Sequence, residues 1–349
     1  MAPPHIKITE KPLTFRDLRL AHGGPVTVEL TGPVRKRVEK SAKAVADILA
    51  EGAPIYGVNT GFGKLAQSRI ADEDLTDLQL NLLRSHAAGT GPLLAPEIVR
   101  LILLLKIKSL SRGHSGIRPK TLDMLVTLLN ADLLPAIPSQ GSVGASGDLA
   151  PLAHLSLVLL GEGKILDGAR TRSGKTALER ARLKPLVPGP KEGLALLNGT
   201  QVSAAIALSG LIGAERNMSA ALLAGAMAVD AIMGSDTPFD ARIHELRGHP
   251  GQADTAGVIR GLLKGSKIRA SHVDCERVQD PYSFRCQPQV MGSSLDVLRD
   301  GAAKLLIEAN AVTDNPLVFA DDGVVLSGGN FHAQPVAFVA YSLGLAIAE

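Results

Sequence analysis

Gly141-Ser-Val-Gly-Ala-Ser-Gly-Asp-Leu-Ala-Pro-Leu-Ala-His154 carries two superimposed signals. From Ser146 and Asp148 onward it reads as a helix start. A polar residue precedes an apolar run (Leu149, Ala150, Leu152, Leu155, Leu157, Leu159, Leu160), and Pro151 suits the first turn. Just ahead, Ala145-Ser146-Gly147 sets three small residues in a row. Such a backbone can fold back until the Gly147 nitrogen reaches the Ala145 carbonyl. Loss of water there closes a five-membered imidazolone. Loss of the Ser146 hydroxyl as a second water leaves an exocyclic methylidene, an electrophile that no ordinary side chain supplies. Glycine at the third position has no Cβ to block the compressed geometry. Three letters alone do not separate this ring from an ordinary capped helix, so the reading depends on the rest of the chain.

Outward from this stretch, helical spacing of apolar residues recurs over 34–50, 74–86, 96–112, 119–131, 148–161, 200–233, 252–265 and 291–312. Short strands are expected at 26–30, around 163–166 and at 317–326, where Leu317-Val-Phe precedes an Asp-Asp-Gly turn and Val324-Val-Leu. Hydrophobic residues make up 45% of the 349 residues and aromatics only 3%, with no Trp. The core is therefore aliphatic, and the fold class expected is mainly α.

Composition excludes several classes. Net charge is +3, from 37 basic and 34 acidic residues, without a basic block or aromatic-rich stripe, so nucleic-acid binding has no support. Two cysteines, Cys275 and Cys286, argue against a disulfide framework and for a reducing compartment. The N-terminal Met-Ala-Pro-Pro-His-Ile-Lys lacks a basic-then-apolar leader pattern. The apolar stretch 200–233 is interrupted by Glu215, Arg216, Asn217 and Asp230, which predicts a buried bundle helix and not a membrane span. A cytoplasmic protein with no membrane association is expected. Three catalytic signatures fail. Gly168 and Gly174 are one residue too far apart for a phosphate-binding loop ending in Lys175-Thr176. Asp148 stands where a Gly-x-Ser-x-Gly nucleophile motif needs glycine. The nine histidines form no metal-ligand spacing.

The chemistry-bearing groups gather in five further loops. Tyr56-Gly-Val-Asn-Thr-Gly-Phe-Gly63 holds one of only three tyrosines, a candidate acid/base, although for this loop taken alone a glycine turn with a packing tyrosine is the default reading. Ser85-His86, followed by Ala-Ala-Gly-Thr-Gly, closes a helix with a histidine whose default role is to complement the helix C-terminus. In Leu197-Asn198-Gly199-Thr200-Gln201, Asn198 is either the cap of the long apolar helix or an amide offered to a ligand. Gln279-Asp-Pro-Tyr282-Ser-Phe-Arg285-Cys-Gln-Pro-Gln289 is a dense polar cluster whose arginine suits bidentate pairing with a carboxylate. Asn310 to Pro316, with Ser327-Gly-Gly-Asn-Phe331-His332, adds an amide-rich turn and an aromatic at a helix entry.

These loops, taken in order from about residue 7 to the last residue, resemble those of the aromatic amino acid ammonia-lyases, and within them the histidine ammonia-lyases most closely. The resemblance implies a mainly α, ammonia-lyase/fumarase-like fold with a long central helical bundle. Residues 1–199 would be the N-terminal region of helices and short strands that carries the Ala-Ser-Gly loop, and residues 200–349 the helical-bundle region. It further implies that Ala145-Ser146-Gly147 cyclises autocatalytically to a methylidene-imidazolone prosthetic group, with no metal and no external cofactor.

The reaction so implied removes ammonia across the Cα–Cβ bond of an amino acid. The β-proton is barely acidic, and ammonium is a poor leaving group beside it. An electrophile addresses either problem, by capturing the amine or by engaging the aromatic ring, and the residues do not choose between them. By the same resemblance Tyr56 takes the β-proton and Arg285 pairs with the substrate carboxylate. Asn198 and Tyr282 line the prosthetic ring and hydrogen-bond its developing negative oxygen, and Gln279 and Phe331 line the pocket. Ser85-His86 is typical of the histidine enzymes, whereas phenylalanine enzymes carry an apolar pair. A phenyl ring would leave His86 unpaired at a cost of order 1–3 kcal/mol. Elimination of ammonia from L-histidine to urocanate is thus expected, with a phenylalanine or tyrosine ammonia-lyase or aminomutase as the alternative. Family members are longer and form homotetramers whose sites combine loops from three subunits. This chain stops at Glu349 within an expected core helix, so a truncated, inactive helical oligomer is the alternative from another class.

Overall fold

The computed structural model describes residues 2–52, 58–60, 70–272 and 277–349, so that Tyr56 and Cys275 lie outside the described residues. Helices dominate, and several of their starts follow directly from the residues. Thr14 caps Phe15–Gly23 through a reciprocal capping box with Asp17. Gly32–Ala50, Pro96–Leu110, Pro119–Asn130 and Pro250–Leu263 each carry proline in the first turn, where its missing N–H breaks no intrahelical bond. With Leu75–His86, Leu149–Leu159, Gln201–Ala231 and Gln287–Ala309, these match the eight expected helices to within a few residues. Helices that periodicity does not single out are short, such as Glu192–Leu197 and Tyr282–Arg285, or almost wholly apolar, as in Gln334–Ala348.

Strands form four two-stranded pairs among the described residues. His5–Ile8 runs parallel to Thr27–Leu30. Lys164–Asp167 folds back on Arg170–Ser173, and Leu317–Phe319 on Val324–Leu326. Thr90–Leu93 pairs antiparallel with Pro138–Gln140, with Thr90 opposite Gln140, and this pair delivers the chain to the Ala-Ser-Gly loop. The segment rejected as a phosphate loop is a strand running into Gly174–Ala181, whose first turn is capped by the Ser173 hydroxyl.

The chain divides into two compact units, residues 1–209 with 306–336 and residues 210–305 with 337–349. In the first, Pro96–Leu110 is buried on every side from Leu101 onward, and packs against Phe15–Gly23 and Pro119–Asn130. Leu101 to Leu105 in that helix are fully or almost fully buried, each side chain contributing about 1.5–3 kcal/mol of apolar transfer energy. Leu75–His86, Leu149–Leu159 and Glu192–Leu197 pack on one another in the same unit. In the second unit Ala226, Val229, Phe239, Ala256, Ile259 and Leu263 form one apolar cluster. There Gly251 and Gly292 bring two helix backbones together where no Cβ would fit. The stretch Glu192–Ala231 is long and apolar enough to cross a membrane by length and composition, but 78% of its apolar window is buried inside the protein. That is the signature of a core helix.

Candidate active site

The Ala-Ser-Gly loop leaves the Pro138–Gln140 strand and closes on itself. Gly144 and Gly147 form an isolated antiparallel bridge, and Ala145 and Ser146 are the two residues of the turn between them. The turn needs glycine at both ends, because Gly144 and Gly147 have φ of +76° and +88°. Ala145 and Ser146 are exposed, whereas Gly147 is buried. A Cβ on Gly147 would lie 3.1 Å from the Gly199 carbonyl oxygen, 3.2 Å from the Gly199 nitrogen and 3.3 Å from the Phe331 Cβ. The predicted ring tripeptide, the Asn198 loop and Phe331 are therefore brought into one contact. Ala333 N–H donates to the Gly144 carbonyl at 3.0 Å, tying the Phe331 segment to the other side of the turn.

Asp148 follows the tripeptide and is fully buried. It occupies the cap position of Leu149–Leu159, yet its side chain makes no bond to that helix. Its carboxylate instead accepts the Val202 and Ser203 N–H groups, each at 2.8 Å, and the Ser203 and Ser142 hydroxyls, each at 2.6 Å. An anion at a helix N-terminus satisfies donors that have no intrahelical partner. The helix so capped is the one beginning at Gln201. Asp148 N–H in turn donates to Gly199 at 2.7 Å, so the loop before one helix is locked to the start of another.

Asn198 does not cap the long helix. It closes Glu192–Leu197 with extended backbone, and its N–H donates to Leu194 at 2.9 Å. Its side-chain oxygen is buried without a hydrogen-bond partner among the described residues. Buried polar groups hold this loop from behind. Lys106 Nζ donates to the Asn198 carbonyl at 2.6 Å, the Gln201 amide to the Thr313 hydroxyl at 2.9 Å, and the Thr200 hydroxyl to Glu308. Burial pushes the Glu308 carboxyl above its usual range, with the Asp148 charge adding to the rise and the Thr200 hydroxyl opposing it. Lys191 and Asp314 form a fully buried ion pair at 2.7 Å, with Lys191 Nζ also donating to the Ser115 carbonyl. Asp314 and Asn315 continue the frame through Ser327 and Gly328 towards Phe331.

His86 ends Leu75–His86 and is half-buried. Its Nδ1 lies 2.8 Å from the Leu82 carbonyl, which can only accept, so Nδ1 carries a proton and in the neutral ring Nε2 is the acceptor. The glycine loop after it reaches the Ala-Ser-Gly arm. Gly89 N–H donates to His154 Nε2 at 3.0 Å, and Gly89 also packs against Gly141. Burial lowers the His154 pKa, which keeps the ring neutral and able to accept.

The other expected ligand-binding residues lie in the second unit. Gln279 and Arg285 line a cavity of about 460 Å³ together with Arg269, His272, Asp280 and Gln289. The Arg285 guanidinium sits 4.4 Å above the Tyr282 ring, which is 71% exposed, and the Arg285 Nε is buried without a partner among the described residues. Arginine and tyrosine are thus presented as a pair, with donor capacity left for an anion. Tyr56 lies outside the described residues.

Sequence reasoning passed over Lys106, Lys191, Glu308, Asp314 and the true partner of Asp148. Lysine in the run Leu101-Ile-Leu-Leu-Leu-Lys-Ile-Lys108 was the available signal, since a helix apolar all round buries whatever charge it contains. The partners of the other residues are roughly 50 to 120 positions away along the chain, and no spacing rule reaches them.

A family model for aromatic amino acid lyases matches residues 13–349. The histidine ammonia-lyase of Burkholderia cenocepacia (strain HI2424) is 57% identical over 344 residues, which are 99% of this chain and 68% of that protein. The solved histidine ammonia-lyase of Trypanosoma cruzi superposes with a TM-score of 0.88 at 35% identity, over 98% of this chain and 64% of that one. The phenylalanine aminomutase of Pantoea agglomerans superposes at 0.91 with 30% identity, over 98% of this chain and 69% of that one. With a family match over nearly its whole length, the mainly helical fold of its solved relatives and the ordered loops described above, this chain belongs to the aromatic amino acid lyase family.

Proposed function

We propose that the chain is a carbon–nitrogen lyase that eliminates ammonia from L-histidine to give urocanate, using an electrophilic methylidene-imidazolone made from its own Ala145-Ser146-Gly147. The observation that carries this reading is the two-residue turn held between Gly144 and Gly147 and pressed by Gly199 and Phe331. Ring closure needs a compressed tripeptide, and the cradle around Gly147 would have to give by a few tenths of an ångström to take even a methyl group. In atoms, the Gly147 nitrogen bonds to the Ala145 carbonyl carbon. The Ala145 oxygen then leaves as water with the Gly147 and Ser146 amide hydrogens. A second water takes the Ser146 hydroxyl and the Ser146 Cα hydrogen. The product supplies an electrophile at the former Ser146 Cβ.

Within that reading each residue has a task. The Asn198 amide, its oxygen buried without a partner among the described residues, lines the ring, a role that the family resemblance also gives to Tyr282. Arg285 binds the substrate carboxylate, and Gln279 and Phe331 shape the pocket. Tyr56 takes the β-proton. His86, protonated on Nδ1, offers Nε2 to the N–H of a substrate imidazole. Identity of 57% to a histidine ammonia-lyase, against 30% to a phenylalanine aminomutase, supports histidine as the substrate. The reading extends to a homotetramer whose sites combine loops from different copies, and to a cytoplasmic location in line with the low cysteine content.

The test is to add L-histidine to the purified chain and follow urocanate by its ultraviolet absorbance, with Ser146→Ala as control. Turnover absent from the control supports the reading, and none above it sinks it. Intact mass gives an independent check, because ring closure removes two waters.

A further inference from the structure

Lys106 is buried in the middle of Pro96–Leu110, among leucines, and its Nζ donates to the Asn198 backbone carbonyl at 2.6 Å. That carbonyl shares a planar trans peptide with the Gly199 nitrogen, so carbonyl and N–H point to opposite edges of one plane. The Gly199 N–H meets no acceptor among the described residues. Gly199 is also what presses on the tripeptide. Its nitrogen and carbonyl oxygen stand 3.2 and 3.1 Å from where a Cβ on Gly147 would be. Packing does not account for a lysine here, since methionine would fill the same volume without burying an amine.

We propose that Lys106 is a positioning residue for ring closure. By gripping the Asn198–Gly199 peptide from behind, it fixes the wall against which Ala145-Ser146-Gly147 folds. Its N–H at the Asn198 carbonyl also polarises that peptide, which makes the Gly199 N–H a stronger donor. The inference rests on the ring reading above. Burial brings the Lys106 amine down to about 7, with Lys191 adding to the fall and Asp314 and Asp148 opposing it. Either protonation state keeps an N–H for the carbonyl, so the grip survives the titration.

The same helix supplies its own control. Lys108, two residues on, is also buried, but its Nζ donates to the Thr9 and Lys11 carbonyls at 3.1 and 2.7 Å, in the N-terminal segment and away from the loop. Wild type, Lys106→Met, Lys106→Gln and Lys108→Met are compared as full chains by thermal melting and by intact mass followed over time after synthesis. The inference expects wild type to lose two waters and K108M to lose them at the wild-type rate despite a lowered melting temperature. K106M should lose them about tenfold more slowly or worse, and K106Q, which keeps a donor, should recover part of the rate. K106M closing the ring at the wild-type rate, or K106M and K108M slowed alike, overturns it. If K106M does not fold, K106Q against K108M decides, with equal rates overturning the proposal. An unmodified wild-type mass overturns the ring reading and this inference with it. A modified wild type with K106M modified at the same rate overturns this inference alone.

Discussion

Asp148 and Ser203 are 55 residues apart, and the carboxylate of the first accepts both the N–H and the hydroxyl of the second, at 2.8 and 2.6 Å. One fully buried side chain therefore fixes the end of the Ala-Ser-Gly loop to the start of the helix Gln201–Ala231. Hydrogen bonds to a buried charge are worth about 1.5–3 kcal/mol each when one partner is removed. Asp148→Ala should lower stability by several times the effect of an ordinary surface substitution and slow the loss of two waters. Unfolding in urea and intact mass measure the two effects, and an unchanged rate of water loss would show that this anchor does not serve the turn.

Gly147→Ala tests the turn itself. The added methyl meets Gly199 and Phe331 within 3.1–3.3 Å, and the residue must hold a φ of +88°. Left-handed backbone at a non-glycine residue costs about 1–3 kcal/mol. The expected outcome is a folded but less stable protein whose mass keeps both waters. A variant that loses them normally would contradict the tight-cradle account.

His86 carries the specificity argument. Replacement by leucine removes the Nε2 acceptor and should reduce kcat/KM for histidine about 10–100-fold, the equivalent of leaving one polar group unpaired. Activity on phenylalanine should suffer far less or rise. Equal losses on both substrates would place His86 outside the pocket.

The Lys191–Asp314 pair is shielded from water on both sides, with side chains 0% and 1% exposed. Removing one partner leaves a buried charge uncompensated, so Lys191→Met or Asp314→Asn should cost about 3–5 kcal/mol. The double replacement should cost less than the two single effects together. A denaturant double-mutant cycle measures this, and strict additivity would mean that the two groups do not interact.

His154 predicts a pH dependence. Burial holds its pKa below the usual imidazole range. Below about pH 6.5 the unfolded chain then binds a proton that the folded protein does not. The stability due to neutral His154 is fully present above that pH and falls as acid is added, until the folded imidazole itself titrates. Gln, which can still accept from Gly89 N–H, has no such titration. His154→Gln should therefore show a flatter melting curve against pH between about 7.5 and 5 than wild type. Parallel curves would refute the assignment.

Much of the helical fold is legible in the residues alone. Apolar spacing and first-turn prolines are local signals, and Pro96–Leu110, Pro119–Asn130 and Leu75–His86 follow them to within two residues. The strand pairs Thr90–Leu93 with Pro138–Gln140 and His5–Ile8 with Thr27–Leu30 were not legible as pairs, because segments of three or four residues acquire a partner only from long-range packing.

By itself the sequence determined the tripeptide able to close a ring, its order among the other polar loops, and a helical, aliphatic core. These depend on residue type and short spacing. Only the tertiary structure decided that Asp148 caps a helix other than its own. It also decided that Gly199 and Phe331 close on Gly147, and that Lys106 stands behind Asn198. Each of these joins residues about 50 to 180 positions apart. The physical reason is desolvation: a buried carboxylate, amine or amide must find a partner wherever packing places one, and adjacency along the chain has no part in that choice.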